Sequence, residues 1–80
     1  MHAAFAQPSV PVLHIEGGVA TLTLNRPAQR NRLENADLKA LLVHFDTVNR
    51  DPGVRVLVLT ANTAGQPKPV FCSGYDIGGF

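Results

Sequence analysis

Two short runs near the start of the chain alternate apolar and polar residues, Val10-Pro11-Val12-Leu13-His14-Ile15-Glu16 and Val19-Ala20-Thr21-Leu22-Thr23-Leu24-Asn25, with Gly17-Gly18 between them. A period of two in β-branched residues predicts strands, and a glycine pair accepts positive φ at both central positions of a tight turn, so the two runs read as a β-hairpin. Pro11 cannot donate to a ladder, which puts it at the start of the first strand or on an edge. In the second run Ala20, Leu22 and Leu24 share one face, and Val19, Thr21 and Thr23 share the other.

After Arg26-Pro27 the period changes. From Asn35 or Asp37, either of which can cap a helix, Leu38, Leu41, Leu42, Phe45 and Val48 recur at helical spacing and predict an amphipathic helix of about four turns. Asp51-Pro52-Gly53 stops it. Val54 to Thr60 is nearly continuous in apolar residues, the pattern of a strand covered on both faces. The glycine and prolines between Ala61 and Pro69 mark a surface loop, and Val70-Phe71-Cys72 reads as a short final strand delivering the chain to Ser73-Gly74-Tyr75-Asp76. The expected order is β-β-α-β-β, an α/β or α+β class. Residues 1–9 read as a flexible tail and 10–80 as the folded part.

Eighty residues make one small domain at most, and such a chain buries only about 60% of the surface its unfolded form exposes. With 45% apolar and 16% charged residues, wholesale disorder is not expected. A net charge of +1 leaves no basic stripe, and few aromatic residues are available to stack on bases, which argues against nucleic acid as a partner. Cys72 stands alone, so no internal disulfide can form, and no Cys/His cluster has metal-ligand spacing. Neither a secretory signal nor an apolar run of roughly 20 residues is visible, and the expected location is cytoplasmic, without a membrane partner.

Ligands of open α/β sheets bind outside the carboxyl ends of strands, which is where Ser73-Gly74-Tyr75-Asp76 falls. Backbone N–H groups in such a turn, at the start of a helix, favour a developing negative charge. The competing reading is a plain β-turn whose glycine only relieves strain. Gly74, Gly78 and Gly79 make neither GxGxxG nor a P-loop, so the dinucleotide and phosphate fingerprints fail. Cys72 reads as a small buried hydrophobe, His14 and His44 as surface or boundary residues, and Glu34 and Asp37 as acids favoured at a helix start.

Leu22-Thr23-Leu24-Asn25-Arg26-Pro27, then Asn31-Arg32-Leu33, then Asp51-Pro52-Gly53-Val54-Arg55-Val56-Leu57-Val58-Leu59-Thr60, then Phe71-Cys72-Ser73-Gly74-Tyr75-Asp76-Ile77 resembles, in order and spacing, the enoyl-CoA hydratase/isomerase (crotonase) family. The resemblance implies a spiral of ββα units of which this chain holds only the first. It also implies an acyl-CoA enzyme of fatty acid metabolism, a hydratase or isomerase working through an oxyanion (enolate) intermediate. A coenzyme A thioester would be the substrate, no cofactor would be bound, and the assembly would be a homo-oligomer, trimer or hexamer.

In that family two backbone N–H groups grip the thioester carbonyl. By resemblance the Tyr75 N–H is one of them, while the second donor and the catalytic carboxylates come later than Phe80, so the chain alone is expected to be inactive. Arg32 and Leu33 would line the CoA site, Arg32 in place of a common alanine, with its guanidinium suited to a CoA phosphate. Ser73, Gly74 and Ile77 would border the pocket, and Asp76 would cap the next helix. Tyr75 stands where alanine is usual, and its phenol would narrow the acyl pocket or add a hydrogen bond. Thioester hydrolysis and dehalogenation are alternatives within the family. A non-catalytic CoA- or partner-binding module is an alternative outside it. An incomplete piece should leave the Leu57 and Leu59 strand and the Leu38, Leu41 and Phe45 helix face partly uncovered.

Overall fold

The structure, a computed structural model, describes residues 9–75. Strands β1 (Val12–Glu16) and β2 (Val19–Leu24) form the antiparallel hairpin, with Glu16 opposite Val19. Gly17 and Gly18 have φ of 59° and 81°, the left-handed pair that a two-residue turn requires. Gly18 is constrained twice. Its carbonyl accepts the Arg55 N–H at 2.8 Å, and a Cβ placed on it would lie 3.2 Å from the Gly53 carbonyl oxygen, so the hairpin turn packs directly against the turn that leads into the next strand.

That next strand, β3 (Val56–Ala61), runs parallel to β2 with Val19 opposite Val56 and Leu24 opposite Ala61, giving the order β1-β2-β3. A parallel neighbour needs a crossover, and helix α1 (Asn35–Arg50) supplies it, which makes the class α/β as expected. Ala20, Leu22 and Leu24 of the central strand are 0%, 0% and 4% exposed, so the face read from the sequence is the buried one.

The helix differs from expectation in its cap and in the inward turn of Asp37, while the Leu38, Leu41 and Phe45 face is partly uncovered, as expected. Neither Asn35 nor Asp37 is the N-cap; Glu34 is, in extended conformation, and the Asp37 carboxylate reaches back to accept the Glu34 N–H at 2.7 Å. This is capping-box logic carried out by an acid at the third helical position. Leu38 and Phe45 remain 38% exposed and Leu42 70%, while Asp37 is buried and Leu41, His44 and Val48 are half-buried. Two polar anchors fix that rotation. Asp37 pairs with Arg26, and the His44 Nε2–H donates to the Pro11 carbonyl at 3.0 Å, so His44 is a boundary residue that ties the helix to the segment before β1. The helix ends as predicted: Asp51 donates its N–H to the Val48 carbonyl at 3.2 Å and accepts the Gly53 N–H on Oδ1 at 2.8 Å.

The described residues do not cover β3 on both faces, and the Leu57 and Leu59 strand is partly uncovered, as expected of an incomplete piece. Val56, Leu57, Val58 and Leu59 are 51%, 40%, 41% and 49% exposed, an apolar strand open on both faces and along one edge. The fourth strand expected at Val70-Phe71-Cys72 also does not form a ladder. Side-chain amides take its polar groups instead: the Val70 N–H donates to Gln66 Oε1 at 2.6 Å, and its carbonyl accepts from Asn31 Nδ2 at 3.1 Å. Among the described residues no helix is long and apolar enough to cross a membrane.

Candidate functional site

At the carboxyl end of β2 the chain passes from an apolar strand into a polar arch, residues 25–33. Pro27–Gln29 form a single 3₁₀ turn, after which Arg30 and Asn31 have φ of 56° and 55°. Two successive left-handed residues turn the arch sharply, and asparagine is among the few non-glycine side chains that tolerate the position well. The Asn31 N–H bonds the Arg26 carbonyl at 2.8 Å. The residue is 1% exposed, and its carboxamide accepts the Arg26 N–H at 2.9 Å and donates to the carbonyls of Asn62 at 2.9 Å and Val70 at 3.1 Å. Buried Asn25 accepts from Asn62 Nδ2 at 2.9 Å and donates to Ser9 Oγ at 3.0 Å. Arg26 presents Nε to both Asp37 carboxylate oxygens, at 3.2 and 2.9 Å.

Against this arch lies the closing turn. The Ser73 N–H donates to the Arg30 carbonyl at 3.0 Å, the Leu33 N–H donates to the Gly74 carbonyl at 2.9 Å, and Leu33 and Tyr75 form an isolated parallel bridge. Leu33, Ser73, Gly74 and Tyr75 are thus brought together, with Arg32 beside Leu33 in the chain. Asp76 and Ile77 lie outside the described residues. Gly74 has φ of 106°, which needs a residue without Cβ, and its N–H donates to Cys72 Sγ at 3.4 Å. Cys72 is half-buried and sits in this turn rather than in a strand.

The aim of the Tyr75 N–H follows from peptide geometry. The Gly74 carbonyl and the Tyr75 N–H belong to one peptide group, no cis bond occurs among the described residues, and in a trans peptide the C=O and N–H point in opposite directions. Because that carbonyl points at Leu33, the Tyr75 N–H points away from the arch. The Tyr75 phenol O–H donates to Oδ1 of Asn35, the first residue of α1, so the side chain reaches across to the helix start.

Electrostatics at the arch centre on Glu34. Arg32 donates from Nη2 to Glu34 Oε2 at 2.8 Å, and Arg26 Nη2 lies 3.9 Å from Oε1. The Arg32 hydrogen bond holds the Glu34 carboxyl below its usual range against the opposing effect of desolvation, and the charges of Arg26 and Arg32 add to the lowering. Beside the arch, an open apolar hollow of about 390 Å³ is lined by Arg30, Gln66, Pro67, Lys68 and Val70. His14 lies exposed, 3.0 Å from Glu16, and no cluster of His, Cys, Asp or Glu suited to a metal occurs among the described residues.

The polar clamp of Asn25, Asn31, Asn62 and Gln66 is what sequence reasoning missed. Gln66 closes the loop by donating to the Pro27 carbonyl at 2.8 Å. One signal was available: an asparagine after a 3₁₀-forming Arg-Pro segment, where a left-handed residue is wanted.

Comparison with known proteins fits this geometry. The sequence model of the family described as enoyl-CoA hydratase/isomerase matches residues 14–80. The chain is 39% identical over 64 residues to 1,2-epoxyphenylacetyl-CoA isomerase of Escherichia coli, covering 80% of this chain and 22% of that protein. It is 36% identical over 61 residues to enoyl-CoA hydratase EchA19 of Mycobacterium tuberculosis, covering 76% and 21%. The crystal structure of an enoyl-CoA hydratase from Mycobacterium avium superposes with a TM-score of 0.77 at 32% identity, over 90% of this chain and 30% of that one. The chain spans about a fifth to a quarter of the length of these curated relatives. A fold shared at this identity, with the family match running through both the arch and the closing turn, shows that the chain belongs to the enoyl-CoA hydratase/isomerase family.

Proposed function

We propose that these residues serve an acyl-CoA enzyme that hydrates or isomerises an enoyl thioester, and that the Tyr75 N–H is one of the donors that stabilise the oxyanion. The observation carrying this reading is the aim of that N–H: the Leu33 N–H to Gly74 carbonyl bond fixes the peptide so that its donor faces away from the arch. A thioester carbonyl placed there would gain negative charge as the α-proton leaves or as water adds at the β-carbon. A preorganised donor stabilises that charge more than it stabilises the neutral ground state.

Arg32, Leu33, Ser73 and Gly74 make the wall around the donor, and a pocket role for Asp76 and Ile77 rests on the family resemblance alone. Arg32 is oriented by Glu34, and its planar guanidinium has the geometry to meet a CoA phosphate, while Arg30 and Lys68 beside the hollow add charge of the same sign. Coenzyme A enters as part of the substrate and no bound cofactor is invoked. The Tyr75 phenol, reaching to Asn35, narrows the acyl side. The test is Tyr75→Pro in the full-length protein that carries these residues, assayed by loss of the conjugated enoyl-thioester absorbance. Removing the N–H should lower kcat by about 10²–10³, and unchanged turnover sinks the donor assignment.

A further inference from the structure

We propose that Asn31 is the positioning residue that sets the aim of the Tyr75 N–H, an inference that rests on the donor role given above. The residue is 1% exposed, and its carboxamide bonds three segments at once: the Arg26 N–H, the Asn62 carbonyl and the Val70 carbonyl. The main-chain bonds that hold the closing turn leave from the chain on either side of Asn31, Arg30 one residue before accepting from Ser73 and Leu33 two residues after donating to Gly74. Asn31 therefore sits where the arch and the segment leading into the turn are tied together, with Val70 three residues before Ser73.

Two attachments, at Ser73 and Gly74, locate the turn, and the third at Val70 fixes its rotation. Gly74 is where rotation is easiest, because a glycine at φ 106° meets little steric resistance when its peptide plane turns. A flip of that peptide would exchange donor for acceptor. The Tyr75 N–H would point toward Leu33, and the Gly74 carbonyl would face the place of the developing oxyanion. Holding the Leu33 N–H on the Gly74 carbonyl prevents this, and the arch can do so only while Asn31 keeps it in shape.

The experiment is residue-resolved amide hydrogen exchange on the full-length protein, comparing the natural chain with Asn31→Gly and Asn31→Asp. Glycine accepts the φ of 55° and so removes the carboxamide without backbone strain, while aspartate keeps an acceptor for Arg26 and loses the donor to Val70 and Asn62. In both variants Leu33 exchange should accelerate about five- to tenfold, as loss of roughly one net hydrogen bond implies, with Ala20 and Leu22 within about twofold of the natural chain. The shift of the Tyr75 amide resonance on titration with butyryl-CoA, present in the natural chain, should be lost in both. Unchanged Leu33 exchange over an intact core overturns the proposal. If both variants lose core protection as well, the natural chain decides: Asn31 side-chain NH₂ protons exchanging at the rate of an exposed asparagine overturn it, and exchange at least about tenfold slower supports it. Should Leu33 respond as expected while butyryl-CoA leaves Tyr75 unshifted in the natural chain, the donor role fails and the coupling of Asn31 to the Gly74 peptide stands.

Discussion

Asp37→Ala removes two interactions from one buried side chain, and the structure allows each to be weighed. The Asp37 side chain is 2% exposed and the Arg26 side chain 18%, with contacts at 3.2 and 2.9 Å from a single Nε. A charge-assisted bond of this kind contributes about 1.5–3 kcal/mol. The ~3–5 kcal/mol seen when a fully buried pair is broken is an upper limit here, because Arg26 keeps Glu34 at 3.9 Å and some access to water. The second interaction, acceptance of the Glu34 N–H, is a cap contact worth about 1 kcal/mol. The expected cost is therefore about 3 kcal/mol, a large share of the stability of a small domain. Asp37→Asn keeps an oxygen for the cap and should cost about 2 kcal/mol. The assay is urea unfolding of the full-length protein with the midpoint read at constant m. A cost for Asp37→Ala below about 1 kcal/mol at unchanged m would refute the view that this pair fixes the rotation of α1.

Three further outcomes are expected. Gly18→Ala should destabilise by about 1–2 kcal/mol more than Gly17→Ala in urea unfolding: both positions have positive φ, but only at Gly18 does the new Cβ meet the Gly53 carbonyl, at 3.2 Å. Glu34, whose folded pKa is lowered chiefly by Arg32, contributes stability that is present above the unfolded value of about 4.3 and is lost as pH falls through the lower folded value; Glu34→Gln should flatten the acid limb of the urea midpoint against pH, and an unaltered limb would exclude the Arg32 contact as its source. Tyr75→Ala keeps the backbone donor and removes the phenol that reaches Asn35, so kcat/KM for long acyl thioesters relative to short ones should rise about tenfold, whereas an unchanged ratio would mean that the phenol does not border the acyl path.

The hairpin, the helix and β3 were legible because each rests on a local signal: alternation for β1 and β2, the Gly17-Gly18 pair for the turn, the Asp51-Pro52-Gly53 stop for α1. The resemblance also picked out Arg32, Leu33, Ser73, Gly74 and Tyr75, which the structure places side by side. What could not be read is whatever depends on partners distant in sequence. The apolar residues of α1 suggest a stripe through Leu38, Leu41, Leu42, Phe45 and Val48, of which Leu41 and Val48 are half-buried, but Arg26 pulls Asp37 inward and Pro11 holds His44, and those contacts span 11 and 33 residues. Val70-Phe71-Cys72 has strand composition, yet Gln66 and Asn31 occupy the groups a ladder would use.

Those same contacts explain how a site built on loops can hold a fixed geometry. The buried set includes three polar side chains: Ala20, Leu22 and Leu24 of the core are joined by Asn25, Asn31 and Asp37. The hydrophobic effect is non-directional, whereas a satisfied hydrogen-bond network in a dry environment defines both distance and direction. The change of material occurs at one point in the chain. Leu24 is the last residue of β2 and Asn25 the first of the arch, and the Leu24 carbonyl accepts the Asn62 N–H at 2.8 Å in the last bond of the β2–β3 ladder. From there side-chain amides do what a ladder does elsewhere, carrying the order of the sheet outward to Gly74. The sensitivity of the closing turn to mutation should therefore follow Asn25, Asn31 and Asn62 more closely than the apolar residues nearer to it in sequence, Val70 and Phe71, of which Phe71 is 50% exposed.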